Sequence, residues 1–167
     1  GTAITTAQES GRQDWEGGVP DGCTTITVGK KASADGSVIT SHTCDSHRTR
    51  GYMGIRESRE FPPDARQQLV KRVYDDSQAM PAYKYIETGT IPQAESTYGY
   101  INTAYPAMNE HQLAIGESTF GGREELHSNK GYIDCQQLVH LMVQRCTTAR
   151  EAIKLADRLT KLYGWND

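Results

Sequence analysis

Short runs of β-branched residues near the N-terminal end of the chain predict a β-hairpin. Residues 24–28 read Thr-Thr-Ile-Thr-Val, and residues 38–40 read Val-Ile-Thr. Between them, residues 33–37 place Asp-Gly at the centre of a turn, which is typical of a hairpin connection. Because the second strand of an antiparallel pair returns to the start of the first, Asp45 is expected to lie near residue 23.

The middle of the chain has a weaker pattern. Residues 61–64 (Phe-Pro-Pro-Asp) interrupt regular structure, residues 65–74 fit either a helix or a strand, and prolines punctuate the extended stretch that follows. Residues 98–105 and 113–120 are candidate strands, and residues 106–112 would join them as a second hairpin.

Towards the C-terminal end the apolar period changes from two to three and four, which predicts two helices. Asp134 can cap the first helix, Thr148 and Glu151 form a capping box for the second, and Gly164 ends it. The predicted apolar positions are Cys135, Leu138, Val139, Met142 and Val143 in the first helix and Ala152, Ile153, Ala156, Leu159 and Tyr163 in the second. Strands followed by a helical hairpin favour an α+β layered fold.

Length and charge limit the classes of function. The 167 residues suit one domain. The net charge of −3 lies in residues 1–22, whereas residues 23–167 carry 17 acidic and 17 basic side chains. A neutral body does not indicate a nucleic-acid surface, and no apolar run reaches the roughly 20 residues of a membrane span. Residues 1–22 are polar and rich in Gly, Ser and Thr, so we interpret them as a leader or propeptide.

The Gly22–Cys23 bond directly precedes the first predicted strand, and this position is typical of a self-cleavage site. Gly22 has no side chain to hinder attack on its carbonyl, and Cys23 supplies a thiol. Once freed, the α-amino group of Cys23 would titrate at roughly 7.7 to 8.0 and could serve as the general base. The alternative is that Cys23 is a small buried hydrophobe at the start of a strand.

Three stretches carry a resemblance to one family. Residues 23–37 (CTTITVGKKASADGS), residues 108–126 (MNEHQLAIGESTFGGREEL) and residues 148–153 (TAREAI) resemble the dipeptidase A type cysteine peptidases, which are N-terminal-nucleophile hydrolases. The resemblance implies an αββα sandwich and hydrolysis of dipeptides through an acyl-enzyme, with no cofactor. Members of that family are considerably longer, so residues 23–167 are expected to be the N-terminal part of a catalytic domain, with the remainder of that domain as a partner.

The resemblance also assigns expected roles to individual residues. Asp45 would contact the amino group of the nucleophile Cys23, and Thr119 would donate to the oxyanion. Many relatives have an arginine where this chain has His42. Independently of the resemblance, Arg48 and Arg50, or His47, could bind a substrate carboxylate, but a solvated surface is the better default explanation of these side chains.

The cysteines and histidines do not indicate a metal site or a disulfide framework. His42, Cys44 and His47 form one dense cluster, but zinc commonly needs a second pair of ligands and the chain has no CxxC pair. The expected partner is therefore a dipeptide or small amide, with no metal, nucleic acid or membrane. An acylase of the same superfamily, acting on bile-salt or penicillin-type amides, and a non-catalytic relative that is never processed remain alternatives. The compartment and the oligomeric state, a homo-oligomer included, stay open.

Overall fold

A computed structural model describes residues 22–45, 51–75, 77, 82–105, 108–118 and 123–166. Within this part of the chain the strands form three two-stranded antiparallel sheets, β1–β2, β4–β7 and β5–β6, and one three-stranded sheet in the order β3–β8–β9. A short 3₁₀ turn (Glu124–Leu126) precedes the two helices. The elements are β1 (Thr25–Val28), β2 (Ile39–His42), β3 (Gly54–Arg56), β4 (Arg59–Glu60), β5 (Arg66–Tyr74), β6 (Tyr83–Pro92), β7 (Ser96–Thr97), β8 (Tyr100–Asn102), β9 (Met108–Asn109), α1 (Cys135–Arg145) and α2 (Ala149–Tyr163).

The first predicted hairpin is confirmed as β1 and β2. The register pairs Thr25 with His42 and Val28 with the first residue of β2. In the connection, Gly36 has a φ of 76°, a conformation that glycine adopts without a steric penalty. The Asp35 carboxylate accepts a hydrogen bond from the backbone N–H of Ser37 at 3.0 Å. Local turn chemistry of this kind is why the hairpin could be predicted.

The longest hairpin is β5–β6, and it packs against the two helices. The ambiguous residues 65–74 are a strand, with a bulge between Leu69 and Val70. Gln137 of α1 accepts a hydrogen bond from the backbone N–H of Val70 at 3.1 Å, which ties the helix to the strand. Among the described residues, the largest fully buried side chains are Leu69, Ile91, Ile133, Leu141 and Val143. The core therefore lies between the β5–β6 hairpin and the two helices, and these residues are far from β1 in the sequence.

Both helices begin as predicted, and the second also ends as predicted. The Asp134 carboxylate accepts from the N–H of Gln137 at 2.7 Å, the capping box at Thr148 is complete, and Gly164 follows α2 with a φ of 74°. An ion pair of 2.8 Å joins Asp157 and Lys161 on the exposed side of α2.

The predicted apolar faces of the helices need correction. In α2, Leu155 is buried beside Ala152 and Leu159, whereas Ile153 is 69% exposed. At about 100° per residue, Ile153 lies outside the stripe that these three side chains form. In α1, Leu141 is fully buried although the sequence pattern did not select it.

The prediction of a hairpin between residues 98–105 and 113–120 is wrong in its second strand. β8 pairs with Met108–Asn109, and within residues 113–118 the only ladder contact is an isolated bridge from Ala114 to Met108. The chain turns at residues 109–113 because the buried Asn109 accepts hydrogen bonds from the N–H groups of His111 and Leu113, both at 3.1 Å. The side chain of Asn109 takes over bonds that a strand ladder would otherwise make.

The α+β class is confirmed by the described elements. None of the described helices is long and apolar enough to cross a membrane. The leader assigned to residues 1–22 falls outside the described residues except for Gly22, and it stays a prediction.

Candidate active site

Cys23 lies two residues before β1, in the extension of the β1–β2 hairpin. Beyond the strands themselves, Gly22 and Asp45 form a bridge in which the N–H of Asp45 donates to the Gly22 carbonyl at 2.7 Å. The N–H of Gly22 donates to the Asp45 carbonyl at 3.0 Å. The Gly22–Cys23 peptide is therefore held at the open end of the hairpin, opposite Asp45, as the strand alternation predicts.

Three chemically reactive side chains meet at this point. The thiol of Cys23 donates to the Glu117 carboxylate, with 4.0 Å between Sγ and Oε2. A ring nitrogen of His42, the thiol sulfur and a Glu117 oxygen all lie within 4.8 Å of one another. All three residues are half-buried. A thiol, an imidazole and a carboxylate within mutual reach can transfer a proton from the sulfur, which is what activates a cysteine nucleophile.

The segment that carries Glu117 is fixed to the hairpin. Thr25 in β1 and Ser118 share a hydrogen bond of 2.8 Å between their hydroxyl groups. A side chain at Gly116 would contact the Cβ and Cγ atoms of His42 at 3.7 Å, so the imidazole lies directly over this glycine. The position of Glu117 beside the thiol thus depends on the contacts of its two neighbours in sequence, Gly116 and Ser118.

A cavity of about 480 Å³ opens next to Glu117. Its lining combines basic side chains, tyrosines and carboxylates, among them Arg72, Tyr83, Tyr105, Glu117 and Asp134. The volume falls in the range of about 300–1,000 Å³ that small-molecule sites occupy. Glu117 links the two features, because it lines the cavity and also accepts the hydrogen bond from the Cys23 thiol.

Arg72 is a cation of this cavity that is held between aromatic rings. Its guanidinium lies over the rings of Tyr83, at 4.5 Å from the centroid, and Tyr105, at 5.0 Å. The guanidinium donates to the Ala104 carbonyl at 3.1 Å, its only hydrogen bond within the part of the chain that the structure describes. Several of its five donors are therefore available to an anion.

Tyr105 stays protonated in this cavity. Burial raises the pKa of its phenol, and the nearby Glu117 carboxylate acts in the same direction against the opposing charge of Arg72. Tyr105 is thus a neutral ring against the guanidinium, and its hydroxyl can donate a hydrogen bond.

The comparison with known families decides the class of this site. Residues 22–167 match the model of peptidase family C69. The chain belongs to this family. No curated protein and no solved structure matches it. The resemblance to the dipeptidase A type cysteine peptidases is thereby confirmed, and the match begins at Gly22, one residue before Cys23.

Of the other site residues predicted for this C69 chain, the structure describes only Asp45. Asp45 lies beside Gly22, and its carboxylate accepts a hydrogen bond of 3.3 Å from the hydroxyl of Thr43. Its role towards the amino group of Cys23 stays a prediction. Thr119, Arg48 and Arg50 lie outside the described residues.

The predicted pattern of metal-type ligands also changes. The group that the described residues bring together is Cys23, His42 and Glu117, without Cys44, and His47 is outside the described residues. Three such ligands could hold a catalytic zinc ion. The match to a family of cysteine peptidases favours the use of the Cys23 thiol as a nucleophile rather than as a metal ligand.

Two site residues were missed by the sequence. Glu117 falls inside a family-like stretch, but neither strand alternation nor a turn signal separates it from its neighbours. Arg72 lies in a strand whose basic residues suggest a solvated face. The side chains that define the cavity come from segments far apart in the chain, which the sequence pattern does not bring together.

Proposed function

We propose that this chain carries the nucleophile of a cysteine dipeptidase and that Cys23 is freed by autocatalytic cleavage after Gly22. The observation that carries the proposal is the thiol of Cys23 lying 4.0 Å from the Glu117 carboxylate, with His42 in the same cluster. Membership of peptidase family C69 supports the reaction class.

In the proposed turnover, the thiolate of Cys23 attacks the carbonyl carbon of a dipeptide. The free α-amine of Cys23 takes the thiol proton and later gives it to the leaving amine, so the acyl group remains on sulfur. Water then hydrolyses the thioester and restores the thiol. Asp45 lies opposite the bond whose cleavage creates the amine, and its carboxylate would orient that amine.

The charges of the cavity favour a zwitterionic substrate. A dipeptide presents an ammonium group and a carboxylate, and the lining offers the carboxylate of Glu117 and the guanidinium of Arg72. Arginine matches a carboxylate with two parallel hydrogen bonds. We propose that Arg72 binds the C-terminal carboxylate of the dipeptide.

An acylase of the same superfamily would need a pocket for a large apolar acyl group. The lining of the cavity is mixed, with four aromatic side chains beside its charged groups, and the presence of Arg72 and Glu117 together supports the dipeptidase. A panel of dipeptides, dipeptide amides and N-acyl amides at equal concentration separates these two functions, because only a dipeptidase requires both substrate charges.

We also propose the αββα sandwich of the N-terminal-nucleophile hydrolases as the architecture of the catalytic domain. Family membership supports it, and a further layer against β1–β2 would cover Ile26 and Ile39, which are 60% and 54% exposed. An experimental structure of the protein tests this arrangement.

The function is tested by mass spectrometry and activity together. The full-length protein is incubated at neutral pH beside Cys23→Ala, with Cys44→Ala as a matched cysteine control. We expect a product that starts at Cys23, and dipeptide hydrolysis, in the parent and in Cys44→Ala but not in Cys23→Ala. A parent that keeps its leader yet hydrolyses dipeptides contradicts the role of the α-amine. A parent that does neither favours a non-catalytic relative.

A further inference from the structure

Before the chain is cut, the nitrogen of Cys23 belongs to the Gly22–Cys23 peptide bond and cannot act as a base. The first cleavage must therefore use another group than later turnover does. We propose that His42 takes the thiol proton during self-cleavage and that the backbone N–H of Asp45 stabilises the charge on the Gly22 carbonyl. This inference rests on the proposed function, since it concerns how Cys23 is freed.

The carbonyl to be attacked is already polarised. The N–H of Asp45 donates to the Gly22 oxygen at 2.7 Å, at the short end of the range for such bonds. Negative charge develops on this oxygen when a nucleophile adds to the carbonyl carbon. One preorganised donor at such a position contributes roughly 10²- to 10³-fold to the rate.

His42 is the base in reach of the thiol. Its ring nitrogen lies within 4.8 Å of Sγ, and Nε2 is buried with no hydrogen-bond partner among the described residues. In resting structures catalytic hydrogen bonds are often long, and they shorten only in the reacting complex. This separation is therefore compatible with His42 acting as the general base. Glu117, in the same cluster, balances the charge that the imidazole gains.

The step balances without a further reactant except water. Sγ transfers its proton to His42 and bonds to the Gly22 carbonyl carbon, and the oxygen of that carbonyl becomes the oxyanion held by Asp45. The C–N bond to Cys23 then breaks, and the imidazolium returns the proton to the departing nitrogen. Water hydrolyses the Gly22 thioester, which leaves a carboxylate on Gly22 and a free thiol and α-amine on Cys23.

After this step the base changes. The new α-amine is attached to the same residue as the thiol, so it can serve turnover without the imidazole. Replacing His42 should therefore slow self-cleavage far more than it slows dipeptide hydrolysis by enzyme whose Cys23 is already free.

The test measures both rates for His42→Ala, with His127→Ala as the matched control because His127 is exposed and outside the site. Self-cleavage of the full-length protein is followed by intact mass. A second form of each variant carries a specific protease site directly before Cys23, so that an added protease frees the cysteine and dipeptide hydrolysis can be measured.

We expect His42→Ala to self-cleave at least 100-fold more slowly, within the range for loss of a general base, and added imidazole to restore part of the rate. The freed variant should lose less than tenfold in dipeptide hydrolysis, and His127→Ala should match the parent in both assays.

Self-cleavage of His42→Ala at the parental rate overturns the inference while the proposed function stands. Loss of both activities to the same extent, without rescue by imidazole, overturns the assignment of His42 to cleavage alone. If the parent itself keeps its leader, the autoprocessing in the proposed function fails first, and the two failures are thus distinguishable.

Discussion

Asn109 connects the segment that carries Glu117 to the helical core, and its replacement provides a quantitative test. The side chain is 4% exposed and makes four hydrogen bonds. Its amide donates to the carbonyls of Val143 and Cys146 at 2.9 and 2.7 Å, and its oxygen accepts from the N–H groups of His111 and Leu113. The two carbonyls lie at the C-terminal end of α1, where helical partners are missing.

Asn109→Ala removes all four bonds and leaves buried backbone groups without them. At about 1 kcal/mol net for each bond, the free energy of unfolding should fall by about 4 kcal/mol. Asn109→Asp keeps the acceptor but turns an oxygen towards the two carbonyl oxygens, so it should also be strongly destabilising. A loss of this size is a large part of the 5–15 kcal/mol that holds a typical domain.

The assay is urea unfolding, which gives the free energy from the midpoint and slope. Asn129→Ala is the control, because Asn129 is exposed and its replacement should change stability by less than about 0.5 kcal/mol. An Asn109→Ala protein within about 1 kcal/mol of the parent, at an unchanged slope, would refute the reasoning.

Three further predictions concern the cavity, the amine and the core. Arg72→Gln should raise KM for dipeptides at least tenfold and hardly change it for dipeptide amides, whereas Arg66→Gln, on an exposed part of the same strand, should leave both unchanged in a steady-state assay. Asp45→Ala keeps its backbone N–H, so self-cleavage should persist by mass while turnover by the freed enzyme falls; loss of both would contradict the division of roles. Burial lowers the pKa of His140 to about 4. The unfolded chain therefore binds a proton more readily below about pH 6.5, and the folded state should lose about 3 kcal/mol between pH 7 and 4, a loss that His140→Gln abolishes in urea titrations.

The elements that could be predicted from the sequence are those set by neighbouring residues. The β1–β2 hairpin follows from its turn, and both helices follow from caps at Asp134 and Thr148, because each depends on hydrogen bonds within a few residues. The error at Ile153 has a different origin. Ile153 lies at the edge of the apolar stripe of α2. Whether its side chain is buried depends on which elements pack against the helix, and the local pattern does not specify them.

The second hairpin shows how one side chain can override a strand pattern. Residues 113–118 alternate well enough to suggest a strand, yet Asn109 satisfies the N–H groups of the turn and bonds to the end of α1, 34 and 37 residues away. The buried amide is thereby fully hydrogen-bonded, as buried polar groups in folded proteins usually are. That arrangement requires the end of α1 to lie next to Asn109, and the local sequence does not specify where α1 packs.

The same argument applies to the site. Cys23 could be identified because the Gly22–Cys23 bond and the strand after it are adjacent in sequence, whereas the partner carboxylate, Glu117, is 94 residues away. The hydrogen bond between the hydroxyl groups of Thr25 and Ser118 holds its segment against the hairpin. The nucleophile is thus a local feature of the chain, and its partners are a product of the fold. The proposed division between His42 for cleavage and the α-amine for turnover follows from this difference. The fold places His42 near the thiol before cleavage, whereas the α-amine of Cys23 exists only after cleavage.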